Sequence, residues 1–134
     1  MKIQIKFTDE NAKIIYENKP PVYATIGSAG FDFKSMDNKI IQPFHQAIFR
    51  TGLVFDLPSN IFFARSGLDA KQSIFVLDIR YSPGTIDSDY KKEVGVILYN
   101  ASDKPLEIQV GDRIAQGVFL PIFQANFEVV SSIY

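Results

Sequence analysis

The chain is a succession of short runs rich in apolar and β-branched residues, each closed by residues that favour turns. Such runs are typical of strands, and the residues between them are typical of tight connections. The first run alternates strictly, with Ile3, Ile5 and Phe7 on one side, as expected for a half-buried strand. No window carries an apolar stripe with a helical period over three turns. This pattern predicts an all-β protein.

We therefore predict a jelly-roll-like β-barrel or sandwich that forms a single domain over residues 1–134. The hydrophobic fraction of 46% is enough to form a core without disulfide or metal support. One short helix, of a turn or two, is predicted around Leu68–Gln72. Beyond the first run, the predicted strands are Val22–Thr25, Phe31–Lys34, Lys39–Gln42, Ala47–Leu57, Ile61–Ala64, Ser73–Ile79, Val94–Tyr99, Leu106–Gln109, Arg113–Phe119 and Phe127–Ile133.

Composition excludes several classes of function. The chain has no Cys and one His, so Cys-based zinc sites and His-rich metal sites are excluded. The net charge of −1, with scattered Lys and Arg, gives no sign of nucleic-acid or membrane-surface binding. No apolar run approaches the ~20 residues that cross a bilayer, and the N-terminus is unlike a signal peptide. We therefore expect a cytoplasmic protein that binds neither nucleic acid nor membrane.

Residues 84–90 are the strongest candidate for a functional segment. Asp87, Asp89 and Tyr90 follow a Pro-Gly turn and precede the apolar run Val94–Tyr99, so they are predicted to lie at a connection between strands. Connections on a rigid scaffold often hold functional residues. Taken alone, the segment is also typical of an ordinary polar hairpin loop.

Three further segments combine small and polar residues near strand ends. Arg65-Ser66-Gly67 offers guanidinium donors, a hydroxyl and an unshielded N–H, a set of groups suited to an oxyanion. Asp32 follows a Gly-rich turn at residues 27–30, and a Gly-Asp turn leads into a strand whose polar members are Arg113 and Gln116. Each segment alone is typical of a surface turn.

In this order and spacing, the four segments resemble four of the five motifs of the trimeric dUTP nucleotidohydrolase (dUTPase) family. The resemblance covers about residues 22–122. It implies a jelly-roll homotrimer with active sites between subunits, which hydrolyses dUTP to dUMP and pyrophosphate with Mg²⁺. The matching segments, from the first motif to the fourth, are Ser28–Phe33, Arg65–Leu68, Gly84–Tyr90 and Gly111–Gln116.

The resemblance also implies roles for individual residues. Asp87 would be the catalytic residue, which orients and activates the attacking water and contacts the sugar 3′-OH. Tyr90 would lie against the deoxyribose and exclude a 2′-OH by a steric clash. Asp32 would support the phosphates and the metal-bound waters, with Mg²⁺ held mainly by the triphosphate and by no direct protein ligand. The other substrate-binding residues would be Arg65, Ser66, Gly67, Gly84, Ile86 and Gln116.

The resemblance is incomplete at the C-terminus. The fifth motif of the family, a mobile Gly-rich arm with an Arg and an aromatic residue, is not legible after Pro121. Because such an arm excludes water and completes the phosphate clamp, a chain without it is expected to bind triphosphate more weakly or to turn over slowly. The segment Ile74–Pro83 resembles the hairpin whose main chain binds uracil in the family.

Three other functions stay open on sequence grounds. A catalytically weak nucleotide sensor or protein-binding module is favoured by the missing arm and disfavoured by the retained Asp87 and Tyr90. A related dCTP deaminase would need a Glu on the strand after the third motif, where this chain has Ile97, which cannot transfer protons. A jelly-roll module with a purely structural role would leave the polar loop residues incidental.

Overall fold

The computed structural model of the chain describes residues 1–66, 77–78 and 84–134, and only the course of the backbone within 62–66 and 77–78. Strands dominate the described part, so the predicted all-β class is confirmed. The described helix is α1 (Glu10–Ile15). The strands are β1 (Gln4–Phe7), β2 (Phe31–Lys34), β3 (Lys39–Ile41), β4 (Gln46–Arg50), β5 (Leu53–Asp56), β6 (Ile61–Ser66), β7 (Leu77–Asp78), β8 (Gly84–Ile86), β9 (Gly95–Asn100), β10 (Leu106–Ile108) and β11 (Arg113–Pro121).

Every strand pair is antiparallel, as expected for a jelly roll. The largest sheet has the order β2-β11-β6-β8, and a second sheet has the order β4-β9-β7. Two-stranded pairs, β1-β5 and β3-β10, complete the described pairing. The large sheet joins strands that are distant in sequence, and each of its four strands carries part of one of the four motif segments.

The core lies between the inward faces of these strands, which alternate as strands that are buried on one side should. In β9, for example, Val96, Leu98 and Asn100 are buried while the residues between them are only half-buried. The amide of the buried Asn100 donates to the carbonyls of Ile41 and Lys104, which compensates its burial. The buried cluster consists of Tyr16, Phe31, Phe33, Ile41, Phe49, Leu53, Phe55, Leu57, Val94, Val96, Leu98, Ile108, Ile114 and Ala115.

The predicted strand Ala47–Leu57 is in fact two strands that belong to different sheets. β4 pairs with β9, whereas β5 pairs with β1. The break falls at Gly52, whose φ of +72° is a conformation that other residues rarely adopt. A Cβ at Gly52 would lie 2.6 Å from the Cβ of Ala12, so the turn also depends on the absence of a side chain.

Helix α1 was not predicted from the sequence. Asp9 caps its N-terminus by accepting a hydrogen bond from the N–H of Ala12 at 2.8 Å, and Glu10 follows in the first turn. Asp9 and Glu10 are sequence signals for the start of a helix, but the helix is only six residues long and shows no apolar periodicity. The predicted helix at Leu68–Gln72 lies outside the described residues, as does most of the predicted strand Ser73–Ile79.

Two other predicted strands are wrong. Val22–Thr25 contributes only an isolated bridge between Tyr23 and Phe31. Residues 127–133 pair with no strand in the described part of the chain, and Phe127 and Val129 are almost fully exposed. Short β-rich runs form strands only where a partner edge is available, and these two runs find none within the described part of one copy of the chain.

Candidate active site

Three of the predicted site residues lie side by side across the large sheet. β11 runs between β2 and β6, and Gln116 is the Cα partner of Asp32 on one side and of Ser66 on the other. Asp32 and Gln116, which are directly opposite, project to the same face of the sheet, and the backbone of Ser66 lies level with them. We call this set, Asp32, Gln116 and Ser66, the polar row. Three segments that are far apart in sequence therefore converge at one level of one sheet.

A bulge in β11 adds Arg113 to the same face. The register shifts between Arg113 and Ala115, and Ile114 is the extra residue. Arg113 and Gln116 are three positions apart, so they would face opposite ways in a regular strand. The bulge turns both outward, and the guanidinium of Arg113 lies 3.6 Å from the carboxylate of Asp32. This ion pair places a cation beside the polar row.

The turn before β2 packs closely against β11 at Gly30, where there is little room for a side chain. A Cβ at Gly30 would lie 3.1 Å from the carbonyl of Gly117 and 3.3 Å from Oε1 of Gln116. Beside the row is a cleft of about 360 Å³, whose lining includes Asp32, Lys34 and Arg113. The lining also contains Lys19 and Glu17, so three cations stand against two carboxylates, and this small positive excess suits an anionic ligand.

Asp87 and Tyr90 occupy one turn after β8. The N–H of Tyr90 donates to the carbonyl of Asp87 at 3.1 Å, which closes the turn. Asp87 is exposed, and its carboxylate has no hydrogen-bond or ion-pair partner among the described residues. The ring of Tyr90 is 39% exposed, and its hydroxyl donates to the carbonyl of Glu93 at 2.8 Å. The turn thus presents an exposed carboxylate beside an aromatic ring whose hydroxyl is held by a hydrogen bond.

Within one chain, this turn lies away from the polar row. β8 is antiparallel to β6, with Ile86 opposite Phe63, so Asp87 continues in the direction away from Ser66. Four residue positions along the strands then separate Asp87 from Ser66, which is about 13 Å at the usual rise per residue. A single copy of the chain does not bring Asp87 and the polar row into one cluster.

The remaining predicted site residues are placed less completely. Gly84 and Ile86 lie on β8, with Gly84 opposite Arg65 on β6. Arg65 and Ser66 are located by their backbone alone, and Gly67 lies outside the described residues. The segment Ile74–Pro83, with its resemblance to a uracil-binding hairpin, also lies outside them except for the backbone of β7.

Two residues beside the candidate site were missed from the sequence. Lys34 lies two positions after Asp32 on β2 and lines the same cleft, which the period of a strand could have indicated. Glu93 accepts the hydrogen bond from Tyr90 through its main chain, and no local sequence signal indicates this contact.

The described residues contain no cluster of three or more His, Cys, Asp or Glu side chains placed to hold a metal ion. Nor do they include a helix with the length and hydropathy to span a membrane. Ile97, at the position where a deaminase would need a Glu, lies on β9 opposite Ile48.

Comparison with known proteins identifies relatives over most of the chain. The model of the dUTPase family matches residues 5–134. A protein of Helicobacter pylori (strain J99) named deoxyuridine 5′-triphosphate nucleotidohydrolase is 41% identical over 130 residues, which cover 95% of this chain and 83% of that protein. A protein of the same name from Histophilus somni (strain 2336) is 41% identical over 135 residues, which cover 96% and 86% of the two chains.

Solved structures agree on the fold. The dUTPase of Staphylococcus bacteriophage 80alpha superposes with a TM-score of 0.84 at 21% identity, over 99% of this chain and 98% of that chain. A mutant dUTPase from phage phi11 of S. aureus, described with a structural Mg(II) ion, has a TM-score of 0.85 at 19% identity and covers 99% of each chain. These structures confirm the predicted jelly roll. The family match and the relatives confirm the resemblance read from the four motifs: the chain belongs to the dUTPase family.

Proposed function

We propose that the chain hydrolyses dUTP to dUMP and pyrophosphate by attack of water on the α-phosphorus, which keeps uracil out of DNA and supplies dUMP. The observation that carries the proposal is the Asp87–Tyr90 turn, which presents an exposed carboxylate without a partner among the described residues next to an aromatic ring. Relatives named deoxyuridine 5′-triphosphate nucleotidohydrolase, at 41% identity, support the same reaction.

In this proposal the residues of the turn contact both the attacking water and the sugar. Asp87 accepts a hydrogen bond from the attacking water and from the 3′-OH, and it is free to do so because no described residue competes for its oxygens. Tyr90 covers the deoxyribose at the position where a ribose would carry its 2′-OH. A ribonucleotide therefore clashes with the ring, whereas the deoxyribonucleotide fits.

The polar row and its neighbours hold the phosphates. Gln116 and the Arg65-Ser66-Gly67 segment supply donors for the phosphate oxygens, where negative charge develops during the reaction. The ion pair between Arg113 and Asp32 reduces the repulsion between that carboxylate and a triphosphate. Gly84 and Ile86, on the neighbouring strand, complete the wall of the site.

Magnesium fits this arrangement as an ion carried mainly by the triphosphate. Asp32, half-buried in the polar row, is a hard oxygen acceptor suited to metal-bound waters, and Mg²⁺ usually retains several waters. When bound with the substrate, Mg²⁺ would neutralise charge on the phosphates. Asp32 orients the hydrated ion, and the Arg65 segment and Gln116 orient the phosphates.

Each complete site would be shared between two copies of the chain. The separation of about 13 Å between Asp87 and Ser66, at the usual rise per residue, is too long for both to contact one water and one α-phosphate. A neighbouring copy can supply the missing half, and a closed ring of three identical copies would form three such sites. The homotrimer is therefore part of the proposal.

Release of pyrophosphate tests the proposal directly. The protein is incubated with dUTP, dCTP, dTTP or UTP, with and without Mg²⁺, and pyrophosphate is measured. We expect product to form much faster from dUTP than from the other three nucleotides, and only with Mg²⁺. Equal product from all four nucleotides would contradict the proposed selectivity for base and sugar.

The same assay distinguishes the proposed hydrolysis from the three alternative functions. Binding of a non-hydrolysable dUTP analogue without any product from dUTP would favour a nucleotide sensor. Conversion of dCTP to dUTP would indicate a deaminase, although Ile97 offers no group that can transfer a proton. Failure to bind any nucleotide would favour a module with an assembly role.

A further inference from the structure

The segment that follows the Tyr90 turn is tied to the β4–β5 connection through a single carboxylate. Oε1 of Glu93 accepts from the N–H of Gly52 at 2.8 Å, and Oε2 accepts from Nε of Arg50 at 3.1 Å. The next residue adds a main-chain bond, from the N–H of Val94 to the carbonyl of Leu53 at 2.9 Å. Both oxygens of Glu93 are therefore held, and its main chain is fixed beside them.

Arg50 extends this connection to helix α1. Its second donor nitrogen lies 3.2 Å from Oδ2 of Asp9, and the other oxygen of Asp9 caps the helix. One guanidinium thus joins the end of β4, the start of α1 and the segment after the Tyr90 turn. We call Asp9, Arg50 and Glu93 the Arg50 bridge. The two carboxylates raise the pKa of Arg50, chiefly through the hydrogen bond to Glu93, and so keep the bridge charged.

The bridge ends at the carbonyl that holds Tyr90. The hydroxyl of Tyr90 donates to the main-chain carbonyl of Glu93 at 2.8 Å. The ring is 39% exposed, so packing alone leaves it freedom to swing. The direction of the ring therefore depends on where the Glu93 carbonyl lies, and the bridge, together with the hydrogen bond from Val94 to Leu53, sets that position.

We propose that Arg50 and Glu93 are positioning residues for Tyr90, and that through this ring they set the discrimination between deoxyribose and ribose. The inference rests on the proposed function, in which Tyr90 covers the sugar. A ring that is free to swing leaves room for a 2′-OH, so loss of the bridge relaxes the exclusion of UTP more than it slows the hydrolysis of dUTP. Charged side chains that touch no substrate thus act on specificity.

A purely structural role predicts a different result. The bridge is partly exposed, with 48% of the Arg50 side chain and 25% of the Glu93 side chain accessible, and exposed ion pairs contribute little to stability. Loss of stability would also lower the rates for dUTP and UTP equally. The ratio of kcat/KM for the two nucleotides therefore distinguishes positioning from stability.

The experiment compares Arg50→Met and Glu93→Gln with wild type and with the control Lys13→Met. Lys13 lies on α1 and forms an exposed ion pair with Glu10 at 3.8 Å, so the control removes a similar charge away from the turn. We expect the ratio of kcat/KM for dUTP over UTP to fall about threefold to tenfold in the bridge variants, the effect of one hydrogen bond. It stays unchanged in the control.

A double mutant shows whether the effect passes through the ring. Tyr90→Phe removes the hydroxyl that bonds to Glu93, so adding Arg50→Met to it produces no further fall in the ratio. An unchanged ratio in Arg50→Met, or additive effects in the double mutant, overturns the inference. Affinities for non-hydrolysable dUTP and UTP analogues give the same ratio without turnover. A wild-type protein that neither hydrolyses nor binds dUTP overturns the proposed function and this inference together, whereas an active wild type with unchanged ratios overturns the inference alone.

Discussion

At the scale of single residues, Asp87 and Asp89 are nearly alike in sequence context yet differ in their proposed roles. Both are exposed and belong to the same turn, but only Asp87 is assigned to the attacking water. Asp87 begins the turn and its main-chain carbonyl closes it. A change that keeps the shape of the side chain therefore tests the carboxylate without disturbing the turn.

We predict that Asp87→Asn lowers kcat for dUTP by at least about 10²-fold, because a positioned base contributes on this scale. Folding and binding of a non-hydrolysable dUTP analogue are expected to stay near wild type. The matched control is Asp89→Asn, which removes the neighbouring carboxylate and is expected to retain most activity. Near-normal turnover in Asp87→Asn would remove Asp87 from the catalytic role.

At the scale of elements, the connection between β4 and β5 unites several parts of the fold. Gly52 makes the turn that moves the chain from one sheet to another, and Ala12 of α1 packs directly against it. Tyr16, the C-cap of α1, is buried, and its hydroxyl donates to the carbonyl of Thr51 at 2.9 Å and accepts from the N–H of Lys34 at 3.0 Å. Helix α1 therefore connects β4, β5 and β2.

We predict that Gly52→Ala lowers the free energy of unfolding by about 2–4 kcal/mol, because it combines strain at a positive φ with overpacking. The control is Gly95→Ala on β9, where a Cβ would meet its nearest neighbour at 3.6 Å, an ordinary contact. That variant is expected to stay within about 1 kcal/mol of wild type, since Gly has no entropic advantage in a strand. Urea denaturation of both variants measures the difference, and equal stabilities would contradict the prediction.

Tyr16 gives a prediction that depends on pH. Burial raises the pKa of its phenol, so the neutral form is favoured in the folded protein. Its contribution is therefore fully present below the pKa of about 10 in the unfolded chain and decreases as the pH rises above that value. Tyr16→Phe is expected to lower the free energy of unfolding by about 1–3 kcal/mol at neutral pH, because two buried backbone groups lose their partner.

Urea denaturation between pH 7 and pH 11 checks this prediction about Tyr16. The difference in stability between wild type and Tyr16→Phe should shrink above about pH 10. The control is Tyr134→Phe, whose ring is fully exposed and should change neither the stability nor its pH dependence. A constant difference across the pH range would show that the buried phenol does not titrate as described.

At the scale of the whole molecule, two features of the described chain are incomplete in a single copy: the candidate site and the packing of the C-terminal residues. The polar row and the Asp87 turn are about 13 Å apart along the strands, too far for both to contact one α-phosphate, and residues 123–134 form no hydrogen bond with the rest of the described chain. Phe123, Phe127 and Val129 are 96%, 94% and 98% exposed, far more than is usual for such side chains. Both features agree with the proposed assembly of identical subunits.

A complementation experiment tests whether the site takes residues from two subunits. Asp87→Asn and Gln116→Leu are each expected to be weakly active alone, because each removes a different half of every site. Unfolding and refolding the two variants as an equal mixture should recover about a quarter of wild-type activity, since random exchange gives that share of sites with both halves intact. No recovery, in a mixture shown by light scattering to have refolded into an oligomer of 15.1-kDa subunits, would contradict a shared site.

Part of the candidate site could be located from the sequence because its motifs are local. Asp87 and Tyr90 share one turn, and short-range patterns of turn and strand residues identify such segments directly. The strand assignments succeeded for the same reason at Phe31–Lys34, which forms β2 as predicted. The assignment failed at Ala47–Leu57, where the break at Gly52 is revealed by pairing with two different partner strands and by close packing against Ala12.

The sequence by itself determined the all-β class, the family and the choice of candidate site residues, because alternation, turn residues and ordered motifs are properties of neighbours along the chain. The tertiary structure decided how these pieces meet. Strand register placed Gln116 between Asp32 and Ser66, and the bulge at Ile114 turned Arg113 to the same face. Pairing between distant strands depends on contacts that no local window contains, and so do the proposed shared site and the Arg50 bridge.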